Sequence, residues 1–254
     1  MEINEDVLYP YLLFNDPVPY ADMMLYPVRM DKIIDFQICQ YSITIRKNSV
    51  FPIKQILKMS YFEFLMYCFE NYDLAKEYNI RFLPHLYKYA FQLFILVFKD
   101  QLVDVDEQTG LFKVNNTLIT PEIFDDLRRI IIIQNGIDFN IDEFIHYDTQ
   151  KDLEEAKEKL NKSNEKYTIE DYIDSYKVAM KATDEEIKDM TIRKFWRYIR
   201  RINAREDYTI AKTGEMSGMV SFKKPLTHWM ASSDNIDKYS DVKTSEDEIR
   251  SKVG

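Results

Sequence analysis

Between residues 191 and 210 the chain reads TIRKFWRYIRRINAREDYTI, and its apolar and cationic positions separate onto two arcs of a helix. Ile192, Phe195, Trp196, Ile199 and Ile202 recur at helical spacing and share one face. Arg193, Lys194, Arg197, Arg200, Arg201 and Arg205 fall on the opposite arc. Thr191 is the natural N-cap, with a side-chain oxygen able to accept from the first-turn amides.

The remainder divides by the same pattern. Residues 1–30 are rich in Tyr, Pro and Met, and Pro10, Pro17, Pro19 and Pro27 are expected to break any long element. A short strand fits 23–30, with Pro27 marking an edge. Over 31–45, Ile33, Ile34, Ile38 and Tyr41 predict a helix. Ser60-Tyr-Phe-Glu63 is a capping box, which predicts a helix from Ser60 to about Asn71 after a separate short element. Residues 81–99 read as a helix apolar nearly all round, hence central in the core. Residues 102–105 and 111–114 alternate on either side of a turn ending in Gly110, the pattern of a β-hairpin. Thr120-Pro121-Glu122 opens the next helix, Asn135-Gly136 closes it, and residues 130–133 are expected inside.

After Tyr147 the composition changes. Residues 150–166 are almost wholly charged or polar, with Leu153, Ala156 and Leu160 as the only stripe. Thr168 and Thr183 cap two further helices, the second with a Thr183-Asp-Glu-Glu186 box. The expected fold is mainly α. It has a helical N-terminal domain over 1–150 with one small β-hairpin, and a charged linker or exposed helix over 151–167. A three-helix unit with an extended end follows over 168–230, then a disordered tail over 231–254.

Composition narrows the chemistry. Five glycines in 254 residues leave no Gly-rich phosphate cradle, which argues against Rossmann and P-loop enzymes. His85, His146 and His228 are far apart and read as structural residues rather than metal ligands, and no Ser or Cys stands in a nucleophile-elbow context. No catalytic residue, metal or cofactor is therefore expected. Cys39 and Cys68 lie in apolar stretches and read as buried free thiols of a reducing compartment. The N-terminus has no basic region followed by an apolar run, and the longest apolar segment, 89–98, is about half the ~20 residues of a spanning helix. A soluble, cytoplasmic protein is expected. The net charge of −9 argues against a whole-surface nucleic-acid binder but permits a local basic patch.

The basic helix keeps three readings open. It can be a solvated face, a protein-binding surface of the Arg- and Trp-rich kind, or the third helix of a helix-turn-helix. Against the last, Met190-Thr191 lacks the usual turn glycine, and acids crowd residues 184–189. Candidate partner-binding residues are Phe195, Trp196, Arg197, Ile199, Arg200, Arg201 and Trp229. Trp229 follows a proline and ends an extended stretch, where it either tucks onto its own unit or inserts into a partner.

Thr191-Ile-Arg-Lys-Phe-Trp196 and Ala211-Lys-Thr-Gly-Glu-Met-Ser-Gly-Met-Val-Ser-Phe-Lys-Lys-Pro-Leu-Thr-His-Trp229 resemble proteins of tailed phages infecting low-GC Gram-positive bacteria. Lys58-Met-Ser-Tyr-Phe-Glu-Phe-Leu65 and Ile132-Ile-Gln-Asn-Gly-Ile137 share the resemblance, which covers most of residues 20–230. Members of that group resemble tail assembly chaperones. The resemblance implies binding rather than catalysis, with tape-measure and tail-tube proteins as partners, possible self-association, no membrane, and action in the cytoplasm of the infected host. The alternatives are a nucleic-acid-binding adaptor or regulator using helix 191–205, and a structural baseplate or neck component.

Overall fold

The structure is a computed structural model and describes residues 3–47, 54–71, 73, 83–139, 141, 167–218, 220–222 and 225–231. The linker predicted over 151–167, apart from Tyr167, lies outside the described residues, as do His146 and residues 232–254 of the predicted tail. The fold is mainly α with two small antiparallel sheets. The chain divides into two compact units, the first drawn from Met1–Glu143 and Thr183–Trp196.

In the first unit, helix α1 (Glu5–Phe14) is capped by Asn4, whose side chain accepts from the Val7 amide. The prolines do not forbid this helix. Pro10 sits inside it, and burial of Leu8 and Leu12 offsets the missing amide bond. Strands β1 (Val18–Tyr20) and β2 (Met23–Leu25) form a hairpin. A 3₁₀ turn (Met30–Lys32) leads into α2 (Ile33–Cys39) and α3 (Tyr41–Thr44). The predicted helix over 31–45 is thus present, broken at Gln40, but its buried face is different. Ile33, Phe36, Cys39 and Ile43 are buried, while Ile34, Ile38 and Tyr41 are exposed. The helix carries two apolar stripes, and the one holding the Phe36 ring faces inward.

Helix α4 (Lys54–Lys58) precedes α5 (Tyr61–Glu70), and both halves of the Ser60–Glu63 capping box are formed. Leu83–His85 is a 3₁₀ turn, and the central helix α6 (Leu86–Phe98) packs on α2, α3, α5, β2 and β3. Strands β3 (Val103–Val105) and β4 (Phe112–Val114) form the expected hairpin, with Gly110 at φ +69°. A third strand, β5 (Thr117–Leu118), extends it beyond the expected pair, after a turn at Asn115. Helix α7 (Pro121–Asn135) starts at its Thr120 cap and ends at Gly136, φ +65°. α5 and α1 pack on α7.

The core of this unit is a ring cluster. Phe62, Phe94, Phe112 and Phe124 come from α5, α6, β4 and α7, and each is fully buried. Phe62 and Phe124 stack at 4.7 Å, and Phe112 meets Phe62 and Phe94 at 4.9 and 5.2 Å. Each such pair contributes ~0.5–1.5 kcal/mol beyond its burial. Polar groups at the end of α7 satisfy the strand region. Gln134 donates to the Leu25 carbonyl, and Asn135 accepts from the Val28 amide at 2.8 Å.

Helix α8 (Ile169–Met180) starts at a Thr168–Asp171 capping box, and α9 (Asp184–Asp189) at the expected Thr183–Glu186 box. The long basic helix is α10 (Ile192–Met216). These three do not form a separate three-helix unit. Residues Thr183–Trp196 belong to the first unit. The reason is backbone pairing that no local pattern announces: Met30 N–H donates to Met190 O, Ile192 N–H donates to Val28 O, and Arg29 bridges Thr191 antiparallel. Ile187, Ile192 and Phe195 are buried there. Gly136 also admits Arg193, since a Cβ at Gly136 would lie 3.0 Å from the Arg193 Cγ.

The described part of the second unit comprises α8, residues 197–216 of α10 and the chain that follows. Tyr176 of α8 is buried and stacks on Tyr198 at 6.0 Å. Past Gly218 (φ +74°) the chain turns back, and the Val220 amide donates to Gly214 O. Residues 220–222 and 225–231 form neither helix nor strand. Among the described residues, no helix is long and apolar enough to cross a membrane.

Candidate functional site

The basic arc of α10 divides along its length. Its first turn is enclosed in the first unit: Arg193 is buried and donates to Leu12 O and to Glu5, both at 3.3 Å. It does not belong to an exposed cationic face, because α1 covers that side of the helix. Thr191 caps the turn as expected, accepting from the Lys194 amide, and its hydroxyl donates to Asn15. Phe195 is fully buried, with the half-buried Trp196 ring edge-on at 5.3 Å. Phe195 is therefore a core residue of the first unit and presents no surface to a partner.

In the second unit the picture changes. Ile199 is buried, and Arg197 and Arg200 are exposed. Among the described residues, neither guanidinium has a hydrogen-bond or ion-pair partner. Arg201 is half-buried and committed, since its Nη1 donates to Trp229 O at 2.8 Å and to Ala231 O at 3.1 Å. It ties residues 225–231 back onto the helix. A cavity of about 350 Å³ lies between them, lined by Arg197, Arg200, Arg201, Tyr208, His228 and Trp229 among others. Of the seven candidate residues, the fold brings four to this cavity: Arg197, Arg200, Arg201 and Trp229. Phe195, Trp196 and Ile199 do not line it.

Two lining residues were not expected from sequence. The Tyr208 ring meets His228 edge-on at 5.1 Å, and His228 lies 5.7 Å from the Trp229 ring, so the three form an aromatic wall. His228 Nδ1 accepts from the Met230 amide, which leaves Nε2 to carry the proton of the neutral ring. Tyr208 was legible in principle. Arg201, Ala204, Tyr208 and Ala211 follow one another at helical spacing, and the two alanines leave room beside the helix. Nothing in the sequence told that His228, many residues on, would close over them. Asp207 also lines the cavity. The arrangement offers planar cationic donors and aromatic rings in one cavity, which is equipment for holding a ligand.

A second cleft, about 630 Å³, lies in the first unit beside Phe14, Tyr26, Lys99 and Asp189. Several of its charges are matched internally: Arg29 pairs with Asp189 at 3.0 Å, and Lys99 sits 4.6 Å over the Tyr26 ring. Among the described residues there is no group of three His, Cys, Asp or Glu that could hold a metal ion.

A family model described as the YomV second domain matches residues 159–234, less than a third of the chain. The matched stretch contains the whole cavity. The family is phage-associated, and the match is consistent with a phage protein. No curated protein and no solved structure matches the chain.

Proposed function

We propose that the chain is a non-enzymatic phage morphogenesis protein, a tail assembly chaperone that binds tape-measure and tail-tube proteins in the cytoplasm of the infected host. The observation that carries a binding role is the pair Arg197 and Arg200, exposed and unpaired at the mouth of a ring-walled cavity. Arginine beside aromatic rings is the composition interface centres favour. The phage-associated match over the same stretch supports the setting. Exposed Val178, Ile210 and Met216 add apolar surface in the second unit, suited to the faces of long helices. Several copies, each using a modest patch, would coat such a helix with avidity.

The nucleic-acid reading is favoured by the same unpaired arginines. Against it stands the first turn of α10. A helix-turn-helix reads bases with the N-terminal residues of its recognition helix. Here Ile192, Arg193 and Phe195 of that turn are buried.

The test is co-expression with the tape-measure and tail-tube proteins of the same gene neighbourhood, followed by pull-down. Capture of either is expected, and capture of neither overturns the proposal. A duplex-DNA gel shift at two salt concentrations checks the rival, whose affinity would fall steeply as phosphate neutralisation releases counterions.

A further inference from the structure

We infer that the cavity on α10 takes a short segment of a partner protein in which a carboxylate sits beside an apolar or aromatic side chain, an assignment that rests on the protein-binding reading above. Its three arginines have different tasks. Arg201 is a strut, since its guanidinium is bonded to the Trp229 and Ala231 carbonyls. Arg197 and Arg200 stand three residues apart on the same helix, line the cavity, and have no hydrogen-bond or ion-pair partner among the described residues. An unpaired guanidinium offers a planar fork that matches a carboxylate in bidentate fashion. Tyr208, His228 and Trp229 also line the cavity and provide ring surface for a side chain rather than further charge. A volume of about 350 Å³ is at the small end for a ligand pocket, enough for one large side chain with its flanking carboxylate.

The same geometry disfavours a nucleic-acid strand. A strand needs a track of cations, one for each successive phosphate. Here Glu206 and Asp207 interrupt the arc one turn on, and Asp207 lines the cavity itself. The chain as a whole carries a net charge of −9, which repels a polyanion at long range but leaves a local ion pair intact.

The chain supplies its own reporter. It has two tryptophans, Trp196 and Trp229, so Trp196→Phe in the full chain leaves Trp229 as the sole one. Three capped peptides are titrated against its emission: acidic AEDLFEA, neutral AQNLFQA and basic AKKLFKA. A twelve-nucleotide oligothymidylate is the fourth probe. The expected result is saturable binding of the acidic peptide, about tenfold or more tighter than the neutral one, a difference of about 1.4 kcal/mol. Arg197→Ala/Arg200→Ala should weaken the acidic peptide by a similar factor. Arg197→Glu/Arg200→Glu should transfer the preference to the basic peptide, which a merely misfolded variant cannot do. Equal binding of acidic and neutral peptides, tighter binding of the oligothymidylate, or no change in Trp229 emission with any probe would each overturn the inference. Its failure is separable from that of the proposed function. Tail proteins captured equally by wild type and by Arg197→Ala/Arg200→Ala would discard the cavity and keep the function. Acidic-peptide binding without capture of any tail protein would do the reverse.

Discussion

The two units solve different problems with the same residue types. The first encloses four phenylalanines from four separate elements, each fully buried and in ring contact with at least two of the others. The second, among its described residues, buries only Tyr176 and Ile199. Tyr208 and Trp229 are half-buried, and Ile210, Met216 and Val178 are exposed, Val178 at 82%. The four central rings of the first unit are used up by packing, while Tyr208 and Trp229 of the second keep open surface. A thin core also means that a unit's preferred geometry is held by few contacts, so polar struts such as Arg201 matter more there.

The sharpest way to break this comparison is to delete one ring or side chain from each unit. Phe124→Ala should cost about 3–5 kcal/mol of stability, because its fully buried ring touches four others. Ile199→Ala in the second unit should cost about 2 kcal/mol, at the lower end for such a change. Denaturant melts of the two variants check the order. If Ile199→Ala proves the more damaging, the contrast between a deep and a thin core is wrong.

The next effect concerns the one buried cation of α7. Arg128 lies 3.6 Å from the Tyr61 ring and donates through Nε to Ile43 O at 2.7 Å. Arg128→Ala leaves that carbonyl without its charged donor and should cost about 2–3 kcal/mol, read in the same melts. A cost below about 0.5 kcal/mol, as for an ordinary surface site, would show that Arg128 can be replaced by water.

The thiols give the first unit a pH signature. Burial pushes Cys68 up to about 12, and burial with the nearby Asp35 charge pushes Cys39 up to about 11. Both folded values exceed the ordinary thiol value of 9.0, so the folded state holds its protons longer. Their contribution is complete below about pH 9 and is lost as the pH rises from there through 11 to 12. Iodoacetamide labelling at pH 8 should therefore follow global unfolding of this unit. Rapid labelling of the native protein at either cysteine would contradict the burial.

What was legible in sequence follows a physical line. Ser60, Thr120, Thr168 and Thr183 each cap a helix start where residues within one turn satisfy one another. Gly110 and Gly136 mark turns that need positive φ. These are local interactions, visible at a spacing of three or four. Decisions made by distant partners were not visible. Whether Phe36 or Ile38 faces inward depends on the elements α2 meets, and Arg193 turns inward only because α1 covers it. The same holds for the site. The cationic arc of α10 could be read from its periodicity, but the return of residues 225–231 through Arg201 could not, so His228 went unrecognised. A third helix in a small unit was the natural local inference for α9, yet the backbone bonds of Met190 and Ile192 to residues near 30 assign it elsewhere.

The smallest stability effects belong to the cavity, and their order tests the division of labour among its arginines. Arg197→Ala/Arg200→Ala removes two exposed guanidiniums with no partner among the described residues, so melting should stay within about 0.5 kcal/mol of wild type. Arg201→Ala removes two charge-assisted hydrogen bonds to main-chain carbonyls, one of them part-buried. Such bonds are worth more than neutral ones, but partial exposure screens them, so the global cost should be no more than about 1 kcal/mol. Its local effect should be larger than its global one. With 225–231 untied, Trp229 in the Trp196→Phe background should become more accessible to acrylamide and shift its emission to the red. The pair Arg197→Ala/Arg200→Ala should leave that emission unchanged while weakening partner capture. If the pair instead lowers stability by more than about 1 kcal/mol, those arginines are structural and their unpaired state is not a provision for a ligand. If Arg201→Ala leaves Trp229 quenching untouched, the strut does not hold the segment, and the wall of the cavity is set by the rings alone.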